Sequence, residues 1–170
     1  LRLGLSALSR IDGVRLARER LPALMEEIGH TLALAVWGNH GPTIVHWEPS
    51  PQAVTATLRL GDVMPLLSSA TGRCFTAYLP PEMTAALLQR EIAQAEKMPR
   101  TDVPTSEAAV QALVQEVRAR GAARVVDTLL PSIVAFCAPV FDASGHLVLG
   151  ITTLGASATL DPDWGGAIDV

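Results

Sequence analysis

Three things are scarce in this 170-residue chain, and each scarcity removes a class of answer. Cysteine occurs only twice, at Cys74 and Cys137, far apart and without CxxC spacing, so there is no disulfide framework and no cysteine-based metal knuckle. A cytoplasmic setting is expected. Long apolar runs are missing too: the stretches Leu129 to Phe141 and Leu147 to Leu160, free of charged residues and of histidine, fall short of the ~20 residues that a spanning helix needs. The opening "LRLGLSALSR" lacks the continuous apolar segment of a secretion signal. Basic residues are dispersed, and a net charge of -4 argues that these residues do not themselves form a nucleic-acid surface.

Patterns that announce chemistry are equally sparse. The histidines His30, His40, His46 and His146 stand without HxxxH or HxH spacing and without a cysteine at ligand spacing, so no metal is expected. Ser68 and Ser69 are not set in a GxSxG elbow, and "ATGR" is not a GxxxxGKS/T phosphate loop. Glu26, Glu27, Asp62, Glu107 and Glu116 fall on helix surfaces or in turns, which suits solvated carboxylates rather than a catalytic pair. Cys74 and Cys137 read as small core residues. The expectation is a chain that needs no cofactor and is not an enzyme.

What is present is a chain 49% hydrophobic and 18% charged, long enough for one domain with a proper core. Residues 1–28 follow a helical period, Leu1, Leu5 and Leu8 before "IDG" and Val14, Leu21, Leu24, Met25 and Ile28 after it. Asp12 is placed to cap the second of these helices and Gly29 to end it, with a kink at Pro22. "TLALAVW" and "TIVHWE" around "GNHGP" form a hairpin, and "AVTATLRL" a third strand. Helices follow over "PPEMTAALLQREI" and from the cap Ser106 to the stop Gly121, the latter burying Val110, Leu113, Val114 and Val117. "ARVVDT", "SIVAFCAPVFD" and "LVLGITTLG" supply three more strands. The order implies an α+β fold, a six-stranded and mainly antiparallel sheet with helices on one face and the other free to hold a pocket.

One stretch interrupts the core pattern. In "MPLLSSATGRCF", residues 64–75, small polar residues separate two apolar runs. With Ser68 and Ser69 ending a strand and a short helix starting at Ala70, the backbone N–H groups of Ala70, Thr71 and Gly72 become helix-start donors, which attract a carboxylate. Ser69 acting simply as a helix cap accounts for the same residues.

The order of "ARERLPALMEEIGHTLALAV", "LRLGDVMPLLSSATGRCFTAYLP", "LVQEVRARGAA" and "APVFDASGHLVLGITTLG" resembles the effector-binding domain of the IclR family of transcriptional regulators over essentially the whole chain. The most specific pieces are the small-residue run before Gly72-Arg73, where the family usually has Gly-Lys, and the stretch from Arg120-Gly121 to Phe141-Asp142. The resemblance implies a GAF/PAS-like fold with residues 1–12 as the end of a linker helix, 13–160 as the effector-binding domain and 161–170 as a tail. It also implies that the N-terminal winged helix-turn-helix is absent from these residues. A homodimer or homotetramer is implied, touching DNA only through that missing domain.

By the same resemblance the effector pocket is built against the turn before Gly72, with Met64, Leu66, Val125, Ile133, Ala135, Thr152 and Leu154 as its walls and Asp127 within reach of a ligand hydroxyl. Each wall residue suits an ordinary core equally well. Val125 and Val126 replace frequent acids, Ala135 takes a small-residue slot, and Thr152 followed by Leu154 replaces a polar pair. The pocket is therefore greasier than one for a small polar acid such as glyoxylate, and an aromatic or short aliphatic carboxylate fits it. A module for oligomerisation alone, or an enzyme on a GAF-like fold, are the other readings.

Overall fold

A computed structural model describes residues 2–52 and 58–165 of the chain. Helix α1 (Arg2–Ile28) runs unbroken through the point where a new start was expected, so Asp12 lies inside the helix rather than at its start. Packing explains the continuity. A Cβ on Gly13 would come within 3.1 Å of Val148 Cγ1, so the glycine lets the helix approach the sheet closely, which offsets its poor helix propensity. Pro22 is inside the helix. Gly29 ends it as expected, at φ 76°, its N–H donating to Met25 O at 2.7 Å.

Strands β1 (Thr31–Gly38) and β2 (Gly41–Glu48) form the expected hairpin around Asn39-His40. Helices α2 (Ala70–Tyr78), α3 (Pro81–Lys97) and α4 (Glu107–Arg120) follow, then β3 (Ala123–Val126), β4 (Ile133–Phe141) and β5 (Leu147–Ala156). The ends of α4 are those the sequence proposes: Ser106 accepts from the Ala109 N–H, and Gly121 closes the helix in the left-handed conformation. Among the described residues the sheet has five strands, in the order β2-β1-β5-β4-β3, with every pairing antiparallel. The sixth strand is corrected: of Ala53–Leu60, residues 53–57 lie outside the described residues, and Leu58 to Leu60 are not in a strand. Nor do Ser68 and Ser69 end a strand, since they lie in a turn.

The sheet is covered on both faces, which also corrects the expectation of one face left free for a pocket. Leu32 and Leu34 of β1 and Leu149 of β5 are fully buried beneath Leu21 of α1, each contributing on the order of 1.5–3 kcal/mol of apolar burial. On that same side, residues 157–164 cover β4, packing Leu160 and Trp164 against Val134 and Phe136. The alternate side chains face α2: Cys137 meets Ala70, Cys74 and Ala77, while Ala35 packs in a cluster with Phe75. The pocket shares this second face with α2.

Candidate functional site

The site is built on the turn that precedes α2. Glu91 of α3 accepts the N–H groups of Leu66 at 2.8 Å and Leu67 at 2.9 Å, one on each carboxylate oxygen. From the other side the buried Arg73 donates through Nε to Leu67 O at 2.8 Å and through its terminal nitrogens to Asp102 and to Arg124 O. The turn is thus clamped between a carboxylate and a guanidinium, which take up the N–H groups of Leu66 and Leu67 and the Leu67 carbonyl without strand pairing. Gly72 seats α2 on it: a Cβ there would fall 1.9 Å from Pro65 O and 2.5 Å from Leu66 Cα, so no other residue fits. Ser69 caps α2, accepting from the Gly72 N–H at 2.8 Å and donating to Pro65 O at 2.7 Å. Among the described residues nothing accepts the N–H groups of Ala70 and Thr71, which the cap does not use.

Between this helix start and the sheet lies a narrow cavity of about 30 Å³. Its walls are apolar except at one end, where Ser69, Thr71 and Thr152 meet. Thr71 Oγ1 and Thr152 Oγ1 are hydrogen-bonded at 2.7 Å, both buried, one from α2 and one from β5. Whichever hydroxyl accepts still holds its own proton to donate. Among the described residues no ionisable side chain lines the cavity, so these residues would meet a ligand charge with neutral dipoles alone. A water needs at least ~10–15 Å³ of such space and organic ligands a few hundred, so a ligand enters only if walls move.

The family model for the bacterial transcriptional regulator IclR C-terminal domain matches residues 5–163. The chain belongs to that family. This IclR-type domain shares its fold with solved relatives. HmgR of Pseudomonas aeruginosa is 36% identical, with a TM-score of 0.82, over 99% of this chain and 66% of that one. The Thermotoga maritima IclR is 22% identical, with a TM-score of 0.74, over 86% of this chain and 58% of that one. A double mutant of the PobR inducer-binding domain from Acinetobacter, in complex with 3-hydroxybenzoic acid, is 18% identical, with a TM-score of 0.69, over 86% and 84%. The chain thus spans less than two thirds of the first two relatives' length. A search of curated proteins finds no match.

Of the wall residues expected for an IclR-type pocket, Met64, Ala70, Thr71, Val125, Ile133, Ala135, Thr152 and Leu154 all line the cavity. Three do not. Leu66 is buried in the turn, its N–H held by Glu91. Gly72 spends its N–H on the Ser69 cap and its bare α-carbon on Pro65. Asp127 is exposed, at φ 54°, outside the lining. Reasoning from sequence missed Ala33, Ile44, Leu58, Ser69, Leu129 and Leu130. Ala33 had a signal: in "TLALAVW" the small residues alternate with leucines, placing the leucines under α1 and the small side chains over the cavity. Leu129 and Leu130 come from a loop, where no periodicity points inward.

Other groups of the IclR-type domain are committed elsewhere. Cys74 and Cys137 are fully buried, and a hydrogen bond to Cys137 with burial pushes the Cys74 thiol well above its ordinary range, so Cys74 stays protonated and unreactive. Among the described residues no three metal-ligating side chains converge, and no helix is long and apolar enough to cross a membrane. A larger groove of about 730 Å³ lies on the α1 side, between that helix and β1–β2. Its rim carries both signs, with Glu19 2.9 Å from Arg15 and Glu48 3.3 Å from His46. That mixture offers an organic acid no single-sign end.

Proposed function

We propose that this IclR-type domain senses a small carboxylate, aromatic or otherwise mainly apolar, and passes its presence to a DNA-reading domain elsewhere in the regulator. The observation that carries the reading is the hydroxyl pair of Thr71 and Thr152 beside the start of α2, at the one polar end of an otherwise apolar cavity. The unused N–H groups of Ala70 and Thr71 and the remaining hydroxyl proton give an anion its donors, and the helix dipole favours negative charge there. Met64, Val125, Ile133 and Leu154 meet the hydrocarbon part. The 3-hydroxybenzoic acid held by the PobR domain, whose fold is shared, is a molecule of this class.

The sheet gives the signal a route. Ala33 pairs with Thr152 across β1 and β5, and both line the cavity. Their neighbours Leu32 and Leu34 bury under Leu21 of α1. A ligand that displaces Thr152 or Ala33 therefore presses on the packing of α1 from below. Assembly as a homodimer or homotetramer belongs to the same reading.

A thermal-shift screen of aromatic and aliphatic carboxylates tests it. Ligand at a hundredfold excess over Kd adds about 2.7 kcal/mol, which for a domain of this size raises Tm by about 5–10 °C. The small cavity favours a second reading, a module for oligomerisation without a ligand. In that case no acid moves Tm, while the apparent stability rises with protein concentration.

A further inference from the structure

One wall of the cavity is the hairpin loop between β3 and β4, residues 127–132, whose Leu129 and Leu130 form part of its lining. Three features set this loop apart. Among the described residues only three that are not glycine have positive φ, Asp102 at 63°, Asp127 at 54° and Ser132 at 60°. Two of them bracket the loop, and the third is its anchor. The loop's internal bonds are few: Asp127 N–H to Ile133 O at 3.0 Å and Ile133 N–H to Leu130 O at 3.3 Å. It is tethered outside at both ends: Ser132 O accepts from the Ser157 N–H at 2.9 Å, and Thr128 is a buried residue whose hydroxyl is shared between Val126 O at 3.0 Å and Asp102 Oδ2 at 3.4 Å, and whose carbonyl accepts from Arg100. Asp102 in turn accepts from Arg73 on α2 at 3.0 Å.

Residues held in the left-handed region persist only where their surroundings hold them there, and such positions concentrate at clamps and switches. Here the surroundings include one carboxylate, 57% exposed, joining the loop to the helix whose first residues line the cavity. We propose that the loop 127–132 is the gate and the size-selecting wall of the cavity, with Leu129 and Leu130 as its plug and Asp102 as its latch. The inference rests on the carboxylate-sensing reading for its ligand, but not for the gate. Swinging the two leucines outward about Asp127 and Ser132 enlarges the cavity without touching β1 or β5. The volume those side chains vacate then sets how large an acid is accepted.

The gate is tested first without any ligand. Hydrogen exchange followed by mass spectrometry compares the wild type with Asp102→Asn, which keeps a residue tolerant of positive φ but weakens the latch. Exchange in the peptide covering residues 127–133 is expected to rise about tenfold while β1 and β5 are unmoved. An unchanged loop in the folded variant, or an equal rise everywhere, overturns the latch. The plug is tested by titrating benzoate and 2-naphthoate into the wild type, Leu129→Ala and Leu130→Ala. The ratio of affinities should move toward the larger acid by about tenfold in at least one variant. An unmoved ratio in folded variants overturns the size-selecting role. If neither acid binds any form, the size-selecting role and its carboxylate reading fail together, and the exchange experiment still decides whether the loop is a gate.

Discussion

Replacing Thr71 by valine keeps the side chain's shape and removes one hydroxyl of the buried pair that links α2 to β5. The 2.7 Å bond to Thr152 is lost, and the Thr152 hydroxyl, in a site 5% exposed, loses the one partner it has among the described residues. A buried polar group left unsatisfied costs about 1–3 kcal/mol, whereas replacing both partners by apolar groups of the same shape is nearly neutral. Thr71→Val and Thr152→Val are therefore expected to cost about 1.5 kcal/mol each, lowering Tm by about 3–6 °C. The double variant should lose no more than about 1 kcal/mol, where simple addition gives about 3, a coupling of about 2 kcal/mol. Urea denaturation of the four proteins at one concentration, with m-values compared, measures the cycle. Losses that add to within ~0.5 kcal/mol would show that the two hydroxyls are independent, and the polar end of the cavity would lose its basis.

Gly72→Ala should destabilise the domain by at least ~2–3 kcal/mol, because its Cβ would collide with Pro65 O and α2 must lift from the turn; denaturation at wild-type stability would refute this. Arg73→Met should cost about 3 kcal/mol by stranding Leu67 O, Arg124 O and Asp102, with Arg73→Lys recovering part of the loss but not the forked geometry; equal stability of all three proteins would refute the clamp. Burial lowers the pKa of His30 from its ordinary 6.5, so the unfolded chain binds its proton first as pH falls. Stability contributed by neutral His30 is then fully present above pH 6.5 and lost as pH falls toward the folded pKa; His30→Gln should flatten that part of the stability profile, and an unchanged slope would show that another group titrates there.

Much of this architecture could be read from periodicity and caps. The hairpin at Asn39-His40, the helix from Ser106 to Gly121 and the last two strands carry local signals strong enough to survive folding. The errors have local causes as well. Asp12-Gly13 looks like a helix boundary, yet the glycine is there for close approach to Val148, a tertiary reason that no local pattern reveals. The resemblance puts Leu66 in the pocket wall and the helix start makes Gly72 a donor, whereas the turn holds Leu66 in the core and Gly72 gives its N–H to the Ser69 cap. Leu129 and Leu130 reach the cavity from an irregular loop, and the Thr71–Thr152 bond spans 81 positions of sequence, so neither could be read along the chain.

The central claim is that the start of α2 receives a carboxylate, and calorimetric titration of Ala70→Asp tests it most directly. The acid that most stabilises the wild type in the thermal screen is titrated into both proteins. Placing a like charge beside the Ala70 and Thr71 N–H groups, while the Ser69 cap on Gly72 is kept, should weaken binding by a few kcal/mol, at least about thirtyfold in Kd. An unchanged Kd in a folded Ala70→Asp domain would mean that the small polar residues before Gly72 serve only to cap and seat a helix, and that the acid binds elsewhere.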